Sequence, residues 1–201
     1  IHRGGARILI GTQMLAKGHD FPDLTLVGVL DADGGLYSPD FRGPERMAQL
    51  VTQVAGRAGR SERPGEVLIQ THHPDHALLQ HLVTEGYEAF AEEALRERRD
   101  AGWPPFAHLA LLRASAVKPG VAMSFLQAAR DLLPVNEVEI LGPVPAPMER
   151  RAGRYRAQLL LRSAQRKPLH HSISAWLPGL ADLPDARRAR WSIDIDPVDL
   201  Y

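Results

Sequence analysis

Cysteine is absent from this 201-residue sequence, so the chain can form neither a disulfide nor a thiolate zinc site. Net charge is also lacking, because 24 lysine and arginine residues balance 24 aspartate and glutamate residues. No run approaches the roughly 20 apolar residues that a membrane-spanning helix requires. These absences exclude a disulfide-stapled scaffold and a transmembrane protein, whereas the apolar content of 44% is ordinary for a folded protein.

An initiator methionine is missing as well, since the sequence begins at Ile1, directly before an apolar run. We therefore expect the chain to be a piece of a longer protein. Its length suffices for one large domain or two small ones. The sequence also contains neither a GxxxxGKS/T phosphate loop nor an acidic DExH box, so we expect no nucleotide hydrolysis by this chain alone.

The charged residues are unevenly distributed despite their balance. Arginines concentrate in residues 149–156 and 187–190, whereas acidic residues collect between Glu85 and Asp100 and near the C-terminus. A local basic patch matters more for phosphate binding than the charge of the whole chain. The neutral balance is therefore compatible with a nucleic-acid-binding protein.

The first hundred residues contain apolar runs separated by helical segments. Residues 7–11 and 24–30 do not alternate with polar residues, which is typical of parallel strands buried on both faces. Residues 13–17 suffice for a short helix, Pro44 opens a long one, and residues 66–70 form another strand. This order predicts the C-terminal part of a RecA-like lobe, in which helices flank a parallel sheet.

A change of pattern near residue 102 indicates a domain boundary. Residues 75–100 have the apolar spacing of helices, and Gly-Trp-Pro-Pro at 102–105 ends them. We therefore predict one domain over residues 1–102 and a second over residues 103–201.

The second domain contains six segments in the order βαββαβ. The strands are expected at 109–117, from 138, at 155–162 and at 190–196, and the helices at 121–133 and around 169–176. This order is the signature of a ferredoxin-like α+β domain. The predicted fold class is thus α/β, with a partial parallel-sheet lobe followed by a small α+β domain.

The most informative stretch is residues 53–60, Gln-Val-Ala-Gly-Arg-Ala-Gly-Arg. Arg57 and Arg60 are spaced to lie on one face of a helix, and a guanidinium group binds phosphate oxygens in a bidentate manner. The small residues between them leave room for another surface to approach. The alternative is a basic surface helix that tolerates glycine.

Residues 53–60 resemble the QxxGRxxR motif of superfamily 2 helicases, which carries arginine fingers. Several further segments narrow the resemblance to the PriA family of bacterial primosomal, replication-restart helicases. They are residues 11–22, 25–33, 70–74, 142–147 and 191–197. The resemblance covers nearly the whole chain.

The resemblance implies that Arg57 and Arg60 are catalytic and reach, in trans, the phosphates of ATP held with Mg²⁺ by a lobe that this sequence lacks. Arg60 is then the finger on the γ-phosphate. Gln53 orients phosphate or water. The implied nucleotide-binding and coupling residues are Gly56, Asp20, Gly18 and Lys17. For Asp20 the alternative is a helix-capping carboxylate.

Two segments are candidate DNA contacts. Gly11 and Thr12 follow a predicted strand, where a backbone N–H and a hydroxyl can bind a DNA phosphate. The predicted hairpin at 145–156 places several basic side chains around Gly153, with Tyr155 as a stacking platform. Its basic residues are Arg150, Arg151, Arg154 and Arg156. The alternative is that this hairpin is merely a solvated surface.

Other polar and aromatic residues give a weaker indication of function. Asp31 and Asp33 end a predicted strand, and we favour loop solvation and a turn at Gly34–Gly35 over a metal pair. Tyr37 and Phe41 either stack on a base or pack under their loop. The nine histidines, among them the adjacent pairs 72–73 and 170–171, lack metal-ligand spacing, so no metal site is expected in this chain.

The family resemblance implies an ATP-dependent 3′-to-5′ DNA helicase that recognises stalled or repaired replication forks and initiates primosome assembly. The implied partners are forked and single-stranded DNA, the acidic tail of single-stranded DNA-binding protein, and other primosome proteins. Arg166 matches part of the pocket for that tail, and His170 stands where glutamine is common. The resemblance further implies a zinc module upstream and a location in the bacterial cytoplasm, associated with the nucleoid.

A second hypothesis is a non-catalytic adaptor that binds forked DNA and retains the helicase fold without ATPase activity. Arg57 and Arg60 argue against it. The residues upstream decide between the two hypotheses, because a helicase requires the phosphate loop and the acidic box there.

Overall fold

A computed structural model describes residues 8–12, 24–56, 58, 65–133 and 138–200. The chain divides into two compact units. The first consists of residues 1–38 and 42–94, and the second of residues 39–41 and 95–201. The chain is a mixed α/β protein, and its described residues form one parallel and one antiparallel sheet.

Within its described residues, the first unit contains a two-stranded parallel sheet and four helices. Strands β1 (Leu26–Val29) and β2 (Glu66–Ile69) pair from Leu26↔Glu66 to Val29↔Ile69. The helices are α1 (Asp33–Leu36), α2 (Gly43–Ala55), α3 (Ala77–Thr84) and the beginning of α4 (Tyr87–Asp100). The predicted strands near 24–30 and 66–70 and the helix opened by Pro44 are thereby confirmed.

The prediction of strands buried on both faces is wrong for this chain. Ile8 and Ile10 are 82% and 89% exposed and lie outside any strand, and Leu26 of β1 and Leu68 of β2 are about half exposed. A non-alternating strand becomes buried on both faces only when helices cover both sides of its sheet. The predicted helix at 13–17 lies outside the described residues.

The apolar core of the first unit lies among its helices. Its buried members are Leu36, Met47, Ala48, Val51, Leu78, Leu79, Leu82, Phe90 and Ala94. Val29 and Ile69 pack against it from the sheet. Every second residue of β1 and β2 is thus half-buried, which indicates that the helices lie on one side of the sheet.

The predicted turn at Gly34–Gly35 is also wrong, because these residues belong to the four-residue helix α1. Two glycines allow α1 and α2 to approach closely. A Cβ on Gly35 would lie 2.6 Å from the Cβ of Met47, and one on Gly43 would lie 2.1 Å from the Cβ of Ser38. A turn and a single helical turn share the same local glycine signal, so packing between helices decides the outcome.

The second unit has the element order βαββαβ, as predicted from the sequence. Its elements are β3 (His108–Ala116), α5 (Val121–Leu132), β4 (Glu139–Arg151), β5 (Arg154–Ser163), α6 (Arg166–Leu180) and β6 (Arg190–Ile195). The sheet order is β4-β5-β3-β6, and all three neighbouring pairs are antiparallel. Alternate residues of β3 and β5 pack with α5 and α6 in the main core, which includes Leu112, Phe125 and Trp176.

The opposite face of this sheet is divided along the strands. At one end, Leu109, Leu111, Leu160 and Leu200 form a second, smaller apolar cluster. Phe41 and Trp103 pack against it with their rings stacked at 5.7 Å and 7°. At the other end the same face carries polar and basic side chains.

None of the helices in the described ranges is both long enough and apolar enough to cross a membrane.

Candidate functional site

The predicted arginine-finger motif begins at the C-terminal end of α2. This helix ends at Ala55, Gly56 is its C-cap, and the N–H of Gly56 donates to the carbonyl of Thr52 at 3.0 Å. The N–H of Ala58 donates to the carbonyl of Val54 at 3.2 Å. Gln53 is exposed in the last turn. Arg57 and Arg60 lie outside the described residues.

This helix end has an unfavourable dipole for an anion. Among the described residues, a Cβ added to Gly56 would come no closer than an ordinary contact of 3.5 Å with the carbonyl of Thr52. The C-terminal end of a helix carries partial negative charge, which repels phosphate. A phosphate near Gln53 therefore requires positive side chains beside it, and the sequence supplies Arg57 and Arg60 directly after the helix.

Of the other residues of the first unit predicted to contact nucleotide or DNA, the structure describes only some. Gly11 and Thr12 are exposed and belong to no strand. Lys17, Gly18 and Asp20 lie outside the described residues. The structure therefore leaves the proposed coupling between these residues and α2 as a prediction.

Asp33 has a structural role that links the ends of the two parallel strands. Its carboxylate accepts hydrogen bonds from the hydroxyl of Thr71 and from the N–H of His72, the latter at 2.9 Å. The Thr71 hydroxyl, and then the His72 amide, hold the pKa of Asp33 below its ordinary range. Asp31, with φ of 56°, accepts from the N–H of Gly34 at 3.3 Å. Both aspartates thus stabilise the chain after β1 through local hydrogen bonds.

We expect Asp33→Ala to destabilise this unit at pH 7, and the difference from wild type to shrink at low pH. Because the folded-state pKa is depressed, the carboxylate's contribution is complete above the unfolded-state pKa of about 4 and is lost as pH falls through the folded value. The opening free energy of the Ala32 amide, which donates to the Gln70 carbonyl at 3.1 Å, measures this by hydrogen exchange.

Thr71→Val is the matched variant, because it removes the donor and keeps the side-chain shape. At pH 7 it should lower the opening free energy of the Ala32 amide, as Asp33→Ala does. Equal opening free energies for wild type and Asp33→Ala at pH 7 would contradict the assignment.

Tyr37 and Phe41 differ in their environments. Phe41 is half-buried against Trp103, which favours packing over base stacking. Tyr37 is 56% exposed and makes edge contacts with the rings of His73 at 4.9 Å and His76 at 5.7 Å.

The basic hairpin of the second unit is formed by β4 and β5. Its turn consists of Ala152 and Gly153, both with positive φ, at 48° and 74°. Two consecutive left-handed residues match the twist of a tight hairpin, and glycine adopts this conformation at little cost. Arg151 pairs with Arg154, and Arg150 pairs with Tyr155.

The strand alternation divides the predicted arginine cluster between two faces of the sheet. Arg150 and Tyr155 share one face, and the guanidinium carbon of Arg150 lies 5.3 Å from the ring centre of Tyr155. Arg154 and Arg156 point to the other face. There Arg154 donates to the hydroxyl of Ser115 at 3.2 Å and to its carbonyl at 2.7 Å. Spacing around Gly153 alone does not distinguish the two faces.

Arg166 and His170 lie one turn apart near the start of α6 and are both exposed. Arg166 forms an ion pair with Asp196 at 2.9 Å. The predicted partner-binding arginine is therefore already engaged, and an acidic ligand at this position would compete with Asp196.

A further basic surface, which the sequence analysis did not identify, lies on the face of the sheet opposite α5 and α6. A cleft of about 260 Å³ opens there, lined by residues of all four strands. Register places Arg113 beside Gln158 and Ser192, and Ser115 beside Arg156 and Arg190. The polar residues at alternate positions of β3, β5 and β6 were the sequence signal that could have predicted this surface.

Across the described ranges, no group of three histidine, aspartate or glutamate side chains is arranged to hold a metal ion.

A family model described as the primosomal protein N C-terminal domain matches residues 99–198. The replication restart protein PriA of Haemophilus influenzae is 46% identical over 203 residues, which cover 100% of this chain and 28% of that protein. PriA of Bacillus subtilis is 41% identical over 197 residues, covering 96% of this chain and 24% of that protein. The chain therefore spans about a quarter of the length of these relatives.

Among solved structures, the de novo designed protein Foldit4 matches 45% of this chain and 97% of its own chain, with a TM-score of 0.32 and 9% identity. That likeness is too low to support an argument. The matches in sequence are sufficient by themselves, and they assign this chain to the PriA family, of which it represents a C-terminal part.

Proposed function

We propose that this chain is the part of an ATP-dependent DNA helicase of replication restart that supplies Arg57 and Arg60 to the ATP site and binds DNA through its second unit. The observation that carries the proposal is the QxxGRxxR motif, starting at the exposed end of α2, in a chain of the PriA family. Bound ATP with Mg²⁺ would supply the phosphoanhydride bond whose hydrolysis drives strand separation.

The residues of this chain fit the neighbourhood of a triphosphate. Arg57 and Arg60 offset the negative end of the α2 dipole and neutralise charge that develops during phosphoryl transfer. Gln53 would donate a hydrogen bond to phosphate or water, and Gly56, which lacks a side chain, would allow close approach of the nucleotide. Lys17, Gly18 and Asp20 couple this site to the DNA contact at Gly11 and Thr12.

The fold proposed for each unit is consistent with a role of the first unit in ATP hydrolysis and of the second unit in DNA binding. The parallel pairing of β1 with β2 beside helices is consistent with the end of a RecA-like lobe. The order β4-β5-β3-β6, with α5 and α6 packed on one face, is consistent with a ferredoxin-like unit. We propose that the domain boundary lies close to residue 102.

The second unit is proposed to hold forked or single-stranded DNA at the β4–β5 hairpin. Arg150, Arg151, Arg154 and Arg156 would bind phosphates, and Tyr155 would stack on a base. Arg166 and His170 would bind the acidic tail of single-stranded DNA-binding protein. The proposed activity is 3′-to-5′ translocation at stalled or repaired forks in the bacterial cytoplasm, followed by recruitment of primosome proteins.

ATP hydrolysis by the full-length protein tests the proposal. We expect the rate to rise when forked DNA is added, and this 201-residue chain alone to show no hydrolysis. Binding of forked DNA without any DNA-stimulated hydrolysis would overturn the helicase assignment and favour a non-catalytic adaptor.

A further inference from the structure

The face of the four-stranded sheet opposite α5 and α6 is open over half of its length. Leu109, Leu111 and Leu160 are covered there by the cluster that includes Trp103 and Leu200. Farther along the same strands, the cleft described above exposes arginine, serine and glutamine side chains. The apolar half of this face is therefore packed, and the polar half is accessible to a ligand.

The charges of this polar half are unequally satisfied. Arg113 donates to the carboxylate of Asp194 at 2.8 Å and to the carbonyl of Asp199 at 2.7 Å, so its charge is largely neutralised. By contrast, Arg156 and Arg190 form no ion pair within the described residues, and Arg156 donates a long hydrogen bond, at 3.5 Å, to the carbonyl of Met148. Arg154, on the same face, donates to the hydroxyl and the carbonyl of Ser115. The charges of Arg156 and Arg190 therefore remain available to an anionic ligand.

These two arginines flank the same residue of the central strand. Arg156 of β5 and Arg190 of β6 both pair with Ser115 of β3. Because neighbouring strands lie about 4.8 Å apart, the two backbone positions are separated by about 10 Å. Arginine side chains are long enough to converge on a phosphate above Ser115, or to bind two phosphates of one strand.

Two polar atoms beside this pair have no hydrogen-bond partner within the described part of the chain. They are Nε of Arg113 and Oε1 of Gln158, which occupy opposed register positions in the cleft lining. Buried donors and acceptors are normally paired. The cleft thus offers polar side chains in addition to its positive charge.

The chemistry of the cleft favours a sugar–phosphate backbone over stacked bases. Among the described residues, Trp191 is the only aromatic one that borders the cleft, and its ring packs on the other side of the sheet, stacked on Phe125 at 5.7 Å. Base recognition on a sheet surface depends on accessible rings. Arginine, serine and glutamine side chains are instead typical phosphate and sugar contacts.

We propose that the open face of this sheet is a second DNA contact, in which Arg156 and Arg190 bind the phosphates of a single strand that continues from the β4–β5 hairpin. This inference deepens the proposed DNA binding of the second unit. It assigns to Arg190, Gln158 and Ser192 a role that the hairpin alone does not include.

Binding of fluorescein-labelled oligothymidylate to the 201-residue chain, followed by fluorescence anisotropy between 50 and 200 mM salt, tests the inference. Arg190→Ala should reduce the slope of log affinity against log salt by about 0.7, the value for one lost phosphate contact with single-stranded DNA. Over this fourfold range of salt, wild type would then lose about 2.6-fold more affinity than the variant. Arg190→Lys should retain the wild-type slope.

Arg187→Ala is the matched control, because it removes the same charge from an exposed residue three positions earlier. Its salt slope should equal that of wild type. Equal slope changes in Arg187→Ala and Arg190→Ala would mean that the slope depends only on the overall charge of the protein. That result would overturn the proposal. An unchanged slope in Arg190→Ala, with loss of binding to a labelled polyglutamate peptide, would overturn it in favour of an acidic protein partner.

This measurement requires no ATP hydrolysis, so it separates the two proposals. A full-length protein that fails to hydrolyse ATP would end the helicase assignment, whereas the salt slope of Arg190→Ala would still report on the open face. Conversely, an unchanged slope alongside DNA-stimulated hydrolysis would end the open-face proposal alone.

Discussion

Arg60→Ala in the full-length protein is expected to lower kcat for DNA-stimulated ATP hydrolysis by about 10³- to 10⁵-fold, the range for arginine fingers. The physical reason is that the guanidinium group meets charge that develops on the transferring phosphoryl group rather than charge present in bound ATP. Nucleotide affinity should therefore change little. Steady-state kinetics with saturating forked DNA, together with equilibrium binding of a fluorescent ATP analogue, separate the two quantities.

Two further variants distinguish charge from geometry. Arg60→Lys retains the charge but loses the planar, bidentate donor set, so we expect most of the rate loss to persist. Arg57→Ala should also reduce kcat, and we expect it to weaken ATP binding more than Arg60→Ala does, through the loss of a contact with ground-state phosphates. Wild-type kcat in Arg60→Ala would remove the finger assignment.

The elements of the second unit were predictable because each carries its own periodic signal. Strand β3 alternates buried Leu112 and Ala114 with Arg113 and Ser115, and α5 has an apolar stripe that includes Phe125 and Leu126. Such patterns depend on one core face only. The sequence therefore predicted the order βαββαβ, while the extension of β4 through its register shifts to Arg151 depended on pairing with β5.

The first unit was less predictable because burial there depends on neighbours. The run at 8–10 is as apolar as that at 26–29, but only the latter is paired in the described structure, with β2. Composition records that a segment is suitable for a buried strand, whereas the partner strands and covering helices decide whether it becomes one. The motif at 53–60 has a local pattern of residues and could be recognised without the fold.

The candidate DNA surface illustrates the same limit. Arg156 was identified from its place in an arginine run, but its position opposite Arg190, across Ser115, became visible only when β3 was placed between β5 and β6. Residues far apart in sequence share this face because the two helical crossovers return the chain to the same sheet. Strand order, which the spacing of motifs does not encode, therefore determines which arginines act together.

The same crossovers bring Trp176 of α6 into contact with α5. Its ring is 2% exposed in the core, and its Nε1–H donates to the carbonyl of Ala129 on α5 at 2.8 Å. Trp176 therefore contributes both buried area and a hydrogen bond to the packing of α6 on α5. The adjacent Leu177 is 45% exposed and offers a control on the same helix.

Trp176→Ala should lower the free energy of unfolding of the second unit by about 3–5 kcal/mol, because it leaves a large cavity and an unpaired carbonyl. Trp176→Phe keeps most of the buried volume and should cost less, whereas Leu177→Ala should stay within about 0.5 kcal/mol of wild type. Urea unfolding followed by far-ultraviolet circular dichroism measures these differences without depending on tryptophan emission. A loss below about 1 kcal/mol in Trp176→Ala would mean that α6 is held on the sheet mainly by its other buried residues, Leu169, Ile173 and Leu180.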